Sequence, residues 1–154
     1  MSAPEPLSPN QRRALSVLIP SLYLFPLVVA YVLPKHFGFG SRPLAYLGFA
    51  VGISGLCLWI LAMAQLGRGL AVLPGDTKDR LVTRGVYKFV RHPIYVGIVL
   101  TLLGLFLACG SVFGLVYLVA VVVPLNLVRA RLEDKALLER FGDSYRAYRQ
   151  RTLF

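Results

Sequence analysis

The chain alternates between long apolar stretches and short segments crowded with basic residues. Four stretches carry no charged side chain: Ala14–Leu33, Pro43–Leu66, Pro93–Cys109 and Val112–Val128. A helix needs about 20 mostly apolar residues, within a range of roughly 17–25, to cross the hydrocarbon of a bilayer. All four meet that length, the last two at its lower edge. Backbone amides find no water at that depth, so such spans must be helical. The pattern predicts an all-α fold: an integral-membrane four-helix transmembrane bundle forming a single domain over 1–154, with a long loop between the second and third spans and interfacial helices at the C-terminus. Pro20, Pro26 and Pro124 lie inside spans and are expected to kink them or mark their ends. Gly48, Gly52 and Gly55 recur at helical spacing and predict a close-packing face against another helix.

Composition agrees. Apolar residues fill 56% of the 154 positions and charged ones 16%, against about 45–50% and roughly 25% in an average soluble domain. Such a chain is too apolar to be disordered, and a soluble globule of this size could not bury so many apolar side chains. The formal net charge of +10 would suggest nucleic acid in a soluble protein. Its distribution gives another reason. With four spans, the N-terminal segment, the loop 67–92 and the tail after Val128 share one side, and fifteen of the 17 Lys and Arg residues fall there. Positive residues concentrate on the cytoplasmic side, so both termini and the long loop are expected to be cytoplasmic, with no nucleic acid involved. Met1–Asn10 is rich in Pro and Ser and does not read as a secretory signal. Cys57 and Cys109 sit in apolar runs with no Cys/His cluster nearby, so no metal site is expected.

Two cytoplasmic segments are too particular to be connectors. In Leu81–Gly97, Pro93 is suited to the first position of the third span, where its missing N–H is harmless. Arg91 and His92 then sit at a helix N-terminus, whose unpaired N–H groups favour an anion. Arg91 adds a planar fork that fits a carboxylate or phosphate, while Tyr95 and Gly97 fall in the first turn, where a glycine lets a ligand approach the backbone. The plainer alternative makes Arg91, His92 and Tyr95 interfacial anchors. In the second segment, Asn126, Arg129, Glu133 and Leu137 share one helix face, on which Asn126, Arg129 and Glu133 form a polar stripe leaving the bilayer. Asp134 lies beside it. The chain is expected to turn at Gly142 and restart as a helix carrying Tyr145 and Tyr148 one turn apart. Here the alternative is an Arg129–Glu133 pair on an amphipathic interfacial helix; Asn126 fits that account poorly, since an amide near hydrocarbon needs a partner.

Gly85-x-Tyr87, Arg91-His92-Pro93-x-Tyr95-x-Gly97, the acidic pair Glu133-Asp134 after a span and Phe141-Gly142-x-x-Tyr145-x-x-Tyr148 occur in that order. This ordered set resembles the isoprenylcysteine carboxyl methyltransferase family, part of a wider group of integral-membrane methyltransferases that includes phospholipid methyltransferases. The resemblance covers about 70–151 and omits the first span. Two positions depart from the family pattern, Asp134 in place of a second Glu and Val86 where Pro is common. The resemblance implies a catalytic half over about 70–151. It would bind S-adenosylmethionine on the cytoplasmic side and methylate a lipophilic acceptor, such as a prenylcysteine carboxylate, arriving from the bilayer. It also implies cofactor-binding roles for Tyr87, Arg91, His92, Pro93, Tyr95, Gly97, Glu133, Asp134, Tyr145 and Tyr148, and catalytic roles for Arg129 and Glu133. The residues suit these tasks: Arg91 and His92 the cofactor carboxylate, the acidic pair its ammonium or ribose, the tyrosines its adenine or sulfonium.

Two other classes compete. NADPH-dependent membrane reductases of the steroid and sterol type carry a similar His-Pro-x-Tyr-x-Gly segment, commonly followed by an acidic residue; here Ile98 follows. A small non-enzymatic membrane protein is the other. No charged residue sits mid-span to mark an ion path, which argues against transport.

Overall fold

The computed structural model describes residues 17–18, 20–28, 40–67 and 81–153. Helix α1 is described over 17–18 and 20–28; the remainder of the first expected span, residues 34–39 of the expected connection after it and most of the expected long basic loop, 68–80, lie outside the described residues. The other helices are α2 (Arg42–Leu66), α3 (Pro93–Cys109), α4 (Val112–Tyr117) and α5 (Val123–Gln150). Among the described residues no strand occurs; Val90 and Leu153 form an isolated parallel bridge.

Local sequence sets the boundaries. Ser41 caps α2 by accepting from the Leu44 N–H at 3.4 Å, the usual task of a serine before a helix. Pro93 opens α3 as expected, and Gly110 closes it in the left-handed conformation at φ 66°, which glycine adopts without a Cβ penalty. Ser111 then accepts from the Gly114 N–H at 3.1 Å and starts α4. Thus a two-residue turn joins α3 to α4, where the apolar pattern is interrupted only by Gly110 and Ser111.

Pro124 has the expected effect on helix geometry. A π-turn, Leu118–Val122, joins α4 to α5 just ahead of it, with the Val123 N–H reaching back to Leu118 O. Proline has no N–H for the carbonyl four residues earlier, and a widened turn is one way a helix absorbs that loss. The helix then runs past Val128, because 129–141 is rich in Arg, Leu, Glu, Lys and Ala, which favour helix even in water. It breaks at Gly142, as the sequence suggests, with φ 53° and ψ −123°.

The stretch Arg42–Leu66 and the continuous run Val112–Gln150 are long and apolar enough to cross a membrane; α3 is a shorter apolar helix. Large apolar side chains of α2, among them Tyr46, Phe49, Ile53 and Ile60, point away from the protein. An outward apolar face on a long helix suits a lipid surrounding rather than water.

Helices α2 and α3 pack backbone to backbone. A Cβ added at Gly48 would lie 2.5 Å from Ala108 N, and one at Gly55 would lie 2.5 Å from Thr101 N; one at Gly104 would overlap the Gly52 backbone. The small-residue face expected of Gly48, Gly52 and Gly55 is therefore present, with Gly104 as its counterpart. Beside it, Leu102, Phe106, Leu118 and Val122 form a buried cluster joined by Tyr23 and Leu27 of α1. A second cluster, Ala62, Leu66 and Tyr87, seats the loop before α3 on the end of α2.

Candidate active site

The expected site residues lie on two elements far apart in sequence, the entry to α3 and the polar half of α5. His92 is the N-cap of α3, but its side chain makes no capping bond. It crosses to α5, where Nε2 lies 2.8 Å from Asp134 Oδ1 and Nδ1 lies 3.5 Å from Glu133 Oε2. The adjacent acidic residues thus grip one imidazole from both sides. Tyr95, one turn into α3, donates to Glu133 Oε2 at 3.2 Å and stacks on His92 with ring centroids 5.7 Å apart. The Arg129 guanidinium lies 5.3 Å from the centre of the Tyr95 ring, within the range of a cation–π contact. Beyond the Gly142 break, Tyr145 folds back and donates to Asp134 Oδ1.

His92 is 5% exposed. Burial alone would lower its pKa, but hydrogen bonds and charge attraction from Asp134 and Glu133 outweigh it and raise the value above the ordinary histidine range. The sign follows: a raised folded-state pKa makes the ion pairs fully stabilising below about pH 6.5 and removes that contribution as pH climbs through the raised value. Melting temperature is therefore expected to fall from pH 6 to pH 9 more steeply in the natural chain than in His92→Gln. Parallel melting curves for the two proteins would argue against a charged His92.

Arg91 takes a different place from the one its chemistry suggests. One terminal nitrogen donates to the Arg149 and Thr152 carbonyls, at 3.0 and 3.3 Å, tying the tail to the entry of α3. The backbone reinforces the tie, with Arg91 N to Leu153 O at 3.1 Å and Leu153 N to Phe89 O at 2.9 Å. Arg91 Nε is buried with no hydrogen-bond partner among the described residues. Tyr148 donates to Tyr87 O at 2.6 Å, and Tyr87, itself buried, donates to Ala62 O at 3.4 Å. Both tyrosines thereby brace the site from behind. Pro93 is buried at the helix start.

Gly97 differs from expectation in its neighbour. A Cβ there would lie 2.8 Å from Trp59 N, so the bare backbone receives α2 rather than opening toward a ligand. The residue type was legible; the partner on another helix was not.

Gln65 was missed by sequence reasoning. Its Oε1 accepts from the Val86 N–H at 2.8 Å, and its amide occupies the space a Cβ on Gly85 would need. Gly85 adopts φ 64° and opens the short 3₁₀ turn Gly85–Lys88 that carries Tyr87. The available signal was an uncharged polar residue at the end of an apolar run. Gly85→Ala is expected to lower stability by about 1–2 kcal/mol, the strain of a left-handed alanine, with the crowded Gln65 amide adding to it. Thermal unfolding in detergent measures this, and an unchanged melting temperature would refute the clamp.

The structure thus defines a class: an all-helical chain with long apolar helices and a polar site where one helix start meets the polar end of another. The sequence profile of the family described as phospholipid methyltransferase matches residues 44–144, and the chain belongs to that family. It is 32% identical over 93 residues to the protein-S-isoprenylcysteine O-methyltransferase of Schizosaccharomyces pombe, covering 58% of this chain and 39% of that one. Over 75 residues it is 39% identical to methanethiol S-methyltransferase 1 of Bradyrhizobium diazoefficiens, covering 49% and 25%. Over 110 residues it is 34% identical to the protein-S-isoprenylcysteine O-methyltransferase of Rattus norvegicus, covering 68% and 38%. The chain therefore spans about two fifths or less of the length of these curated relatives. No solved structure matches it.

Proposed function

We propose that the chain is an S-adenosylmethionine-dependent membrane methyltransferase acting on a lipophilic acceptor such as a prenylcysteine carboxylate. The convergence of His92 and Tyr95 from one helix with Glu133, Asp134 and Tyr145 from another carries this reading. In it, four helices cross the membrane, the site faces the cytoplasm, and the acceptor enters from the bilayer.

The residues fit a group bearing a carboxylate and an ammonium. Arg91 retains a buried Nε–H with no acceptor among the described residues, beside the N-terminus of α3, and both features favour an anion. The Glu133 side chain is 28% exposed, so its carboxylate remains accessible to a cation. S-adenosylmethionine, when bound, would supply an electrophilic methyl group on a sulfonium. His92 would hold Glu133 and Asp134 in place, and Tyr145 would fix the Asp134 oxygen. Arg129 would orient an acidic acceptor group from the bilayer side. A carboxylate nucleophile needs no base; an amine or thiol would need one, for which Glu133 is placed. Tyr87 and Tyr148 would support the wall through their mutual bond, and Gly97 would serve the helix seam rather than the ligand.

The test is methyl transfer from labelled S-adenosylmethionine to a panel of prenyl-thioether, phospholipid and thiol acceptors in detergent or vesicles. Labelled lipophilic product is expected. Purified protein that binds NADPH but neither S-adenosylmethionine nor its demethylated product would overturn the proposal in favour of a reductase.

A further inference from the structure

Asn126 lies in the apolar part of α5 and is 3% exposed. Tyr23 of α1 donates to its Oδ1 at 2.6 Å. The amide is thereby oriented, and its Nδ2, which must donate, is left buried with no partner among the described residues. An unmet buried donor is expensive. Helix–helix adhesion alone would be served by the Tyr23 bond and does not explain the spare donor. Asn126 also follows the π-turn, a distortion common where a helix presents functional side chains. Tyr23 lies outside the segment 44–144 that the family profile matches.

We infer that Asn126, oriented by Tyr23, selects the methyl acceptor by donating from Nδ2 to a hydrogen-bond-accepting oxygen, an amide carbonyl or carboxylate, on the lipophilic molecule. This deepens the methyltransferase reading and rests on it. Asn126 touches the acceptor; Tyr23 is a positioning residue. A purely apolar thiol has no oxygen for this donor and is disfavoured.

The experiment compares N-acetyl-S-farnesyl-L-cysteine with 1-dodecanethiol as acceptors, using the full chain, Tyr23→Phe, Asn126→Leu and the double variant. For the farnesylated acceptor, KM is expected to rise about tenfold in Asn126→Leu, by the loss of one hydrogen bond. Tyr23→Phe should show a smaller rise. The dissociation constant for S-adenosylmethionine, which also reports folding, should stay unchanged. The double variant separates the two roles: removing both polar groups restores apolar packing, so a structural pair predicts normal KM, whereas the inference predicts that KM stays high. Normal KM in the double variant overturns it, as does faster methylation of the thiol than of the farnesylated acceptor by the natural chain. A natural chain that methylates neither compound also overturns it, and one that fails to bind S-adenosylmethionine as well overturns the methyltransferase reading beneath it.

Discussion

Replacing Asp134 by alanine is expected to weaken S-adenosylmethionine binding at least a hundredfold. Asp134 Oδ1 accepts from both His92 and Tyr145, which are 5% and 1% exposed. Its removal takes the acceptor from the buried Tyr145 hydroxyl and leaves the buried imidazole with Glu133 at 3.5 Å in place of two carboxylates. Depriving a buried polar group of its partner costs about 1–3 kcal/mol, two groups are affected, and each 1.4 kcal/mol is a factor of ten in affinity. The loss should extend to the tail, since Tyr145 anchors the segment beyond Gly142 to the rest of α5. Asp134→Asn should fall between, keeping an acceptor oxygen but not the charge that helps raise the His92 pKa. Titration calorimetry with S-adenosylmethionine measures all three proteins. Alanine binding within a few-fold of the natural chain would remove Asp134 from the site.

The second large effect lies away from the site. Gly104→Leu is expected to prevent folding, because α2 backbone occupies the space that the first side-chain carbon would need. Flexible side chains can yield to an added methylene at about 1–3 kcal/mol; here the obstacle is the Gly52 main chain, and the helices must separate along their length. Fluorescence-detected size exclusion of detergent extracts should show aggregate in place of a monodisperse peak. A normal peak with a normal melting temperature would mean that α2 and α3 do not meet through these glycines.

The sequence announced these features unequally. The start of α3 at Pro93 and its end at Cys109 were legible because a proline and a glycine punctuate a run with no charged residue. The three glycines of α2 announced a close contact, yet spacing could not name Gly104 as the opposing residue or Trp59 as the neighbour of Gly97. Glu133 and Asp134 stood out as an acidic pair after an apolar helix. Their shared hold on His92 depends on how α5 crosses the entry to α3, which no local pattern encodes. Arg91 shows the limit of reading chemistry from residue type. A guanidinium at a helix N-terminus suggests an anion, but much of its hydrogen-bonding capacity holds the carbonyls of Arg149 and Thr152. Tyr23 was unreadable for a related reason: one tyrosine in an apolar run looks like any other until Asn126 is found beside it.

Because no side chains separate α2 from α3 along the glycine seam, the two helices have little to slide on and should move as one plank. Relative motion is then left to α1 and α5, which meet through longer side chains such as Tyr23 and Asn126. Hydrogen exchange should reveal this as slow, synchronous protection across α2 and α3 with earlier opening in α1. Uniform protection of all helices would mean that α1 is held as firmly as the α2–α3 pair. A seam built from the smallest residue would thus decide which helices share one motion, by leaving only the others free to breathe.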